Sequence, residues 1–402
     1  MNELSGLLTG RDGDGPPARI VRALSERGAL SAGQIVRITG LAKSTVSVAL
    51  AELRRQGVIV DAAARGGGRS QVGRPATRVV LNPEAGTCIG VQVGLDFIQA
   101  IVADVSHAIL ANEKMSLPHD FTTAQAVAAT EALCARAYAA AGLGSPLTQA
   151  NLLGVGVAVA GPIDPRSGRV YRSSMVPTWA GIDIPALFAP IFGRPVLTDN
   201  ESNCAAIAEM MWGAASGHDD FVFFKMENEG IGGAVVNGGR IVSGVAGAGG
   251  EFGHICIEPD GDLCRCGNRG CLELYAGFGR VLRLAETRFG RHARIDEVIA
   301  MARQGDVGCR RLIADTAAVA GRGLGIIGTV VNPGLIVVGG RLAKAGDLLL
   351  DPLTESYDRH TLIKRDAVPP AAQTRIVCGA LIDNDSCLGA VGMVLRHNGR
   401  LA

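Results

Sequence analysis

The sequence predicts an α/β protein: an N-terminal winged helix-turn-helix followed by a larger body of two lobes. Three observations carry that expectation. The 402 residues are about three times a common domain length, so more than one domain is expected. Basic charge is gathered at one end: residues 1–80 hold 12 Lys/Arg against 6 Asp/Glu, while the remaining 322 hold 27 against 32. Beyond residue 83, strand-like and helix-like apolar patterns alternate, the signature of layered α/β architecture. The domains are accordingly expected at 1–82 and 83–402.

Composition narrows the classes further. At 48% hydrophobic and 19% charged, the chain has ample core-forming material and is not largely disordered. The 55 glycines show no three-residue period, which excludes collagen and points to many tight turns. The longest nearly unbroken apolar run, Leu152 to Ile163, is shorter than the roughly 18 residues needed to span a bilayer. With early acids and no apolar stretch near Met1, the expected location is cytoplasmic, without a membrane partner. Ten cysteines are then expected as thiols, ligands or small core residues rather than disulfides. Seven, including Cys88, Cys134 and Cys378, lie singly and are read as core packing.

In the head, Ala18–Arg27 places Ile20, Val21 and Leu24 on one helical stripe. Ser31 can cap a second helix to Thr39 that buries Ile35 and Ile38, and Gly40 closes it. Lys43–Gln56 repeats Val46, Ala49, Leu50 and Leu53 at helical spacing, which leaves Lys43, Ser44, Thr45, Ser47 and Val48 on or near the opposite face. Short and basic residues at the start of such a helix can reach base edges and phosphates in a major groove. Two strands, Val58–Asp61 and Thr77–Leu81, flank a Gly- and Arg-rich loop with Arg65, Arg69 and Arg74, the composition of a phosphate-contacting wing. Double-stranded DNA is the expected partner, read by a homodimer or homotetramer because one such helix covers only a few base pairs.

In the body, Cys88–Val93 and Phe97–Asp104 read as a hairpin turning at Gly94–Asp96. Further strands are expected at Leu153–Ala160, Val196–Thr198, Phe221–Met226, Gly232–Val236 and Leu335–Gly339. Helices are expected at Ala124–Ala141, Asn203–Met211, Tyr275–Phe289, Asp306–Thr329 and Asn384–Arg396, the last returning to the first lobe. The strongest chemical signal is His254 with Cys264, Cys266 and Cys271, four soft or borderline ligands within 18 residues, with Gly267 and Gly270 allowing tight turns. Four protein ligands leave no open position, so a structural zinc is expected to fold the 254–271 loop.

GIGGAVVNGGRIVSGVAGAGGEFGH, CRCGNRGCLELYAG, GRPA at 73–76, GPID at 161–164, NESNCAAIAE at 200–209 and NPGLIVVGG at 332–340 together resemble the ROK family of repressors, open reading frames and kinases. The likeness covers nearly the whole chain. It implies an actin-like, ribonuclease H-like fold in two lobes, the same zinc ligands, and the repressor branch, since ROK sugar kinases usually lack such a head. It also implies that Asn200, Glu201, Glu251, His254 and Glu273 line a sugar-binding floor, where carboxylates and amides suit vicinal hydroxyls. The phosphoryl-transfer positions depart from the kinase pattern. Gln92 stands in place of the first-turn acid, with Asp96 at the hydroxyl position; Glu201 replaces the catalytic Asp; and Asn228-Glu229 puts a negative charge where triphosphate would lie. Asp199 is a neighbouring base one residue out of place. The sequence therefore reads as a sugar-responsive DNA-binding regulator of carbohydrate metabolism, a repressor before an activator. Kinase chemistry is lost, Glu201 is a vestigial base, and ligand-driven closure changes the spacing of paired heads. The alternative is an ATP-dependent hexose kinase carrying a DNA-binding head.

Overall fold

The computed structural model describes Leu4, Leu7 and residues 15–62, 77–145, 151–171, 177–227 and 230–396. The chain divides into two compact units. The first comprises Met1–Val159, Asp183–Thr198 and Ala390–Ala402; the second comprises Ala160–Ile182 and Asp199–Gly389.

The head lies in the first unit. Helix α1 (Pro16–Arg27) starts on a proline, which suits a position whose amide has no helical partner. A short strand, β1 (Leu30–Ser31), leads into α2 (Ala32–Thr39), where Ser31 and Gln34 form a reciprocal capping box and Gly40 closes the helix at φ 66°. Helix α3 (Lys43–Arg55) follows. Ile20, Val21, Leu24, Ile35, Val46, Leu50 and Leu53 are buried as their spacing requires, whereas Ile38 is 48% exposed, contrary to its expected burial. Ile38 falls beside Arg37 on the solvent side of α2, and Thr39 takes the inward position instead. Strands β2 (Ile59–Asp61) and β3 (Arg78–Leu81) complete an antiparallel sheet ordered β1-β3-β2. Arg65, Arg69, Arg74 and the GRPA stretch lie outside the described residues.

The first unit also holds the sheet of β4 (Thr87–Val93), β5 (Phe97–Asp104), β6 (Ile109–Ser116), β7 (Leu152–Val159) and β8 (Val196–Asn200), the last crossing into the second unit after Thr198. Helices α4 (Thr123–Ala140) and α5 (Ile184–Phe192) belong to this unit. The strand order is β6-β5-β4-β7-β8, with β4, β5 and β6 antiparallel and β7 parallel to β4.

The second unit repeats the plan. After α6 (Glu201–Trp212) come β9 (Phe221–Glu227), β10 (Gly230–Asn237) and β11 (Arg240–Ile241). Helices α7 (Leu272–Ala276), α8 (Phe278–Phe289), α9 (Ile295–Arg303) and α10 (Val307–Val331) precede β12 (Leu335–Gly339), α11 (Asp347–His360) and β13 (Arg375–Cys378). Its sheet runs β11-β10-β9-β12-β13. In both sheets a three-strand antiparallel meander is extended by two later strands beside its first, so each reads 3-2-1-4-5 in chain order. Helix α12 (Asp385–Arg396) begins in the second unit and passes into the first after Gly389.

Two further expectations need correction. The single helix expected over Tyr275–Phe289 is two helices broken at Gly277, whose backbone is extended (φ −66°, ψ 139°). Cys256 is exposed rather than packed in a core. Helix α10 is long and apolar enough to cross a bilayer, but Cys309, Ile313, Ala317, Ala320, Leu324 and Ile327 are buried in the second unit's core, which marks it as a core helix.

One buried contact in the first unit sets a pH dependence. His107, at φ 75° in the β5–β6 turn, donates from Nε2 to the Ser25 carbonyl of α1 at 2.8 Å. Burial lowers the ring's pKa below its ordinary 6.5, outweighing the carbonyl contact and the charge of Asp104. The folded protein therefore binds this proton less readily than the unfolded chain, and stability falls as pH drops through about 6.5. His107→Gln, which can still donate to Ser25, is expected to lessen the loss in urea midpoint between about pH 7.5 and about pH 5.5. An unchanged pH slope would remove His107 from the account.

Candidate binding pocket and metal centre

A cavity of about 700 Å3 opens within the second unit. One wall is the Ala160–Pro162 turn and the start of α6; another is the Gly230–Gly233 stretch of β10. Across β10 lies the segment carrying Glu251 and His254, and two glycines explain how closely it can approach. A Cβ on Gly250 (φ 91°) would come within 2.3 Å of the Gly233 carbonyl, and one on Gly253 within 2.2 Å of the Ile231 carbonyl. Only bare backbone fits there. The break at Gly277 ends α7 just after Glu273, whose side chain is 6% exposed.

Asn200, Glu201, Glu251, His254 and Glu273, the five expected floor residues, all line the cavity. Their states differ. Asn200 is the N-cap of α6, with Oδ1 accepting from the Ser202 amide at 2.7 Å and Nδ2 donating to the Gly161 carbonyl at 3.0 Å, so its amide is committed to shaping the wall. Glu201 stands in the first helical turn, where a carboxylate is favoured by the exposed amide ends. Burial pushes the Glu251 carboxyl up to about 7, helped by the charges of Glu273 and Glu201 and opposed by Arg265, so near neutrality it can donate as well as accept a hydrogen bond. Asp199 turns its carboxylate to the Asn200 amide and to Asn203 Nδ2, with the pKa raised by burial, and does not line the cavity.

Three further charged residues line the cavity that sequence reasoning did not single out. Arg265 grips Glu273 with Nη2 at 2.8 Å and Nε at 3.2 Å. Glu227 lines the wall and accepts from the Arg341 amide at 3.2 Å. Lys225 is 3% exposed on β9 and donates to Ser386 Oγ at 2.8 Å. A lone lysine inside FVFFKME was a signal of sorts, because a buried ammonium needs a partner and the strand supplies none.

His254, Cys264, Cys266 and Cys271 bring their ligand atoms within 4.8 Å of one another. Cys264 Sγ lies 3.7 Å from His254 Nδ1, and the sulfurs of Cys266 and Cys271 are 3.6 Å apart. Those separations are what ligands at about 2.0–2.3 Å from a tetrahedral zinc would show. The donor chemistry fits too. Burial pushes the Cys271 thiol up to about 11 and Cys264 higher still, so in the absence of a cation these thiols keep their protons, and a dication would reverse that. His254 presents Nδ1 to the cysteines and Nε2 towards Glu251, 3.9 Å away, so one ring faces both the ligand cluster and the cavity.

On the head, Lys43, Ser44, Ser47 and Val48 are exposed, Val48 to 72%, while Val46, Ala49, Leu50 and Leu53 are buried beneath them. Thr45 is half-buried. The N-cap of α3 is Ala42, whose side chain cannot cap the first-turn amides, the groups that a phosphate at a helix start would meet.

Residues 88–397, most of the chain, match the ROK family. The chain belongs to the ROK family. Residues 14–70 of this ROK protein also match the MarR family. It is 26% identical over 378 residues to a xylose repressor of Bacillus spizizenii, with 94% of each chain covered. It is 31% identical over 291 residues to a glucokinase of Streptomyces coelicolor, covering 68% of this chain and 88% of the kinase. A crystal structure of a ROK family transcriptional regulator, described as a homologue of the E. coli MLC protein, superposes with TM-score 0.74 at 20% identity, covering 95% of this chain and 96% of that one, and so shares its fold. In this ROK protein Gln92, where ROK kinases carry an acid, is buried in β4 and pairs in register with Gln99 of β5, and Asp96 sits in the turn that follows. Asn228 and Glu229 lie outside the described residues.

Proposed function

We propose that this ROK protein is a sugar-responsive DNA-binding transcriptional repressor of carbohydrate metabolism. The observation that carries the reading is the exposed Lys43–Val48 face of α3 in the same chain as a carboxylate-lined cavity large enough to admit a sugar. Lys43, Ser44, Thr45, Ser47 and Val48 contact operator DNA, with Arg65, Arg69 and Arg74 of the wing on phosphate. Glu201, Glu251, His254 and Glu273 take the effector's hydroxyls, and Asn200 shapes their wall. D-xylose and D-glucose are the first candidates, since the relatives are named for xylose and for a glucose kinase. His254, Cys264, Cys266 and Cys271 hold a structural zinc, which supplies a fold for the loop and takes no part in chemistry. The protein acts in the cytoplasm as a homodimer or homotetramer on double-stranded DNA, and it does not phosphorylate sugar. Gln92 has no charge with which to hold a metal ion, and Glu227 puts a negative charge in the cavity wall.

Response requires that the sugar bind the DNA-competent and DNA-incompetent states with different affinity; a difference of about 1–3 kcal/mol gives a 5- to 150-fold change in operator affinity. Genomic fragments captured by the purified protein, with and without each sugar, test this directly. Sugar-dependent release is expected, and capture of no specific fragment under any condition would sink the reading. On the captured operator, Lys43→Ala is expected to weaken binding for all sequences alike and to lower the slope of log affinity against log salt by about 1.

A hexose kinase is the second reading, favoured by Glu201 at the cavity and by the likeness to the glucokinase. Turnover of about 1–100 per second with ATP and glucose in a coupled assay would establish it in place of the first.

A further inference from the structure

Ser25, on α1 of the head, is fully buried, and its hydroxyl donates to the Leu395 carbonyl at 2.6 Å across 370 residues of sequence. Leu395 lies in the last described turn of α12, so this bond ties the far part of that helix to α1. His107 Nε2 holds the backbone carbonyl of the same serine at 2.8 Å, so Ser25 is fixed on both its side chain and its main chain.

The other end of α12 is tied as specifically. Lys225 donates to Ser386 Oγ at 2.8 Å and lies 3.4 Å from Asp385 Oδ1, both in the first turn of the helix. Burial raises the Asp385 pKa in spite of the lysine, and its Oδ2 has no hydrogen-bond partner. Such a pair contributes little to stability, because taking two charges out of water offsets their attraction, and a methionine or valine would pack on β9 at lower cost. Packing therefore gives no reason for a lysine here. Its place does: Lys225 lines the cavity. Its ammonium is a donor that a ligand hydroxyl in the cavity would compete for against Ser386 and Asp385.

We infer that Lys225 and Ser25 are positioning residues that report occupation of the cavity to the DNA-binding head, with α12 as the element carrying both hydrogen bonds. The inference rests on the repressor reading above for its purpose, not for its test. Ligand binding redistributes the hydrogen bonds of Lys225 at the start of α12, and the Leu395–Ser25 bond at its end biases the head between two arrangements. Each of the two bonds is formed inside one compact unit, and the continuous helix joins them.

The deciding experiment needs no ligand. Hydrogen–deuterium exchange is measured on the full chain with Lys225→Met, and with Lys225→Met/Asp385→Asn in case the uncompensated aspartate alone disturbs folding. Exchange in residues 16–27 is expected to rise by about threefold or more, and that rise is expected to vanish when Ser25→Ala is added to the same chain. A merely structural loss at Lys225 would change 385–389 and leave 16–27 alone, and that result in both variants would overturn the inference. So would a rise in 16–27 that persists without the serine hydroxyl. Ser25→Ala by itself is expected to hold operator and sugar affinities within about twofold while D-xylose and D-glucose lose their effect on operator binding; a full response in this variant would also overturn it. If the parent binds neither sugar, the choice of effector fails, and the exchange result still decides the role of α12.

Discussion

Cys266→Ser is expected to reduce bound zinc from about one ion per chain to about none and to abolish sugar binding, with melting temperature falling together with metal content. Among residues 255–270 only Cys264 and Gly270 are buried, so the loop has almost no apolar core with which to fold. Structural zinc supplies roughly 10–16 kcal/mol of apparent folding free energy in small zinc-bound peptides, far more than so exposed a segment can gain from burial. Arg265 sits between two of the ligands, Glu273 two residues beyond the last, and the two are paired at 2.8 Å. Loss of the ion is expected to free Arg265 and so leave Glu273 without its partner at the cavity wall. Elemental analysis, calorimetry with the two sugars and thermal melts check the three parts. A parent protein purified without zinc, and indifferent to chelator, would show that the four side chains meet for another reason.

Gly389→Ala is expected to destabilise the fold by about 3 kcal/mol, at the upper end for overpacking, and to lower the melting temperature by about 6–12 °C. A Cβ at Gly389 would stand 1.6 Å from the Cys204 carbonyl oxygen and 2.1 Å from its carbon. Both are backbone atoms of α6, so no rotamer change relieves the clash, and α12 must move off α6. Gly334→Ala is the control. Nothing lies within 4 Å of the Cβ it would add, and its stability is expected to stay within about 0.5 kcal/mol of the parent. Equal melting temperatures for the two variants would mean that α12 and α6 separate at little cost.

Much of this was legible before any coordinates, for local reasons. The capping box of Ser31 and Gln34, the apolar run of β7 and the β4–β5 hairpin each draw on neighbours in sequence. The Cys/His cluster was legible because three of its members fall within eight residues and the fourth ten residues before them. What escaped depends on distant partners. Strand β6 carries an exposed, alternating pattern with charged residues and forms because β5 offers it an edge. Gly277 is a local exception: it interrupts a well-patterned helix with extended backbone, and a Cβ there would fall 2.5 Å from the Glu273 carbonyl, so only glycine fits. Arg265 and Lys225 are basic residues whose roles emerge only when Glu273 and Ser386 are brought to them, the latter from 161 residues away. Five of the cavity's polar residues could be named from the sequence, but their hydrogen-bonding commitments could not.

The bond between Ser25 and Leu395 also has a consequence for biosynthesis. A ribosome delivers α1 early, yet the acceptor for its buried hydroxyl arrives 370 residues later. At elongation rates of about 5–20 residues per second, the nascent head waits on the order of half a minute before that bond can form. A stop codon shortly before Leu395 would spare every strand of both sheets and still take away the acceptor that the first helix made is built to meet.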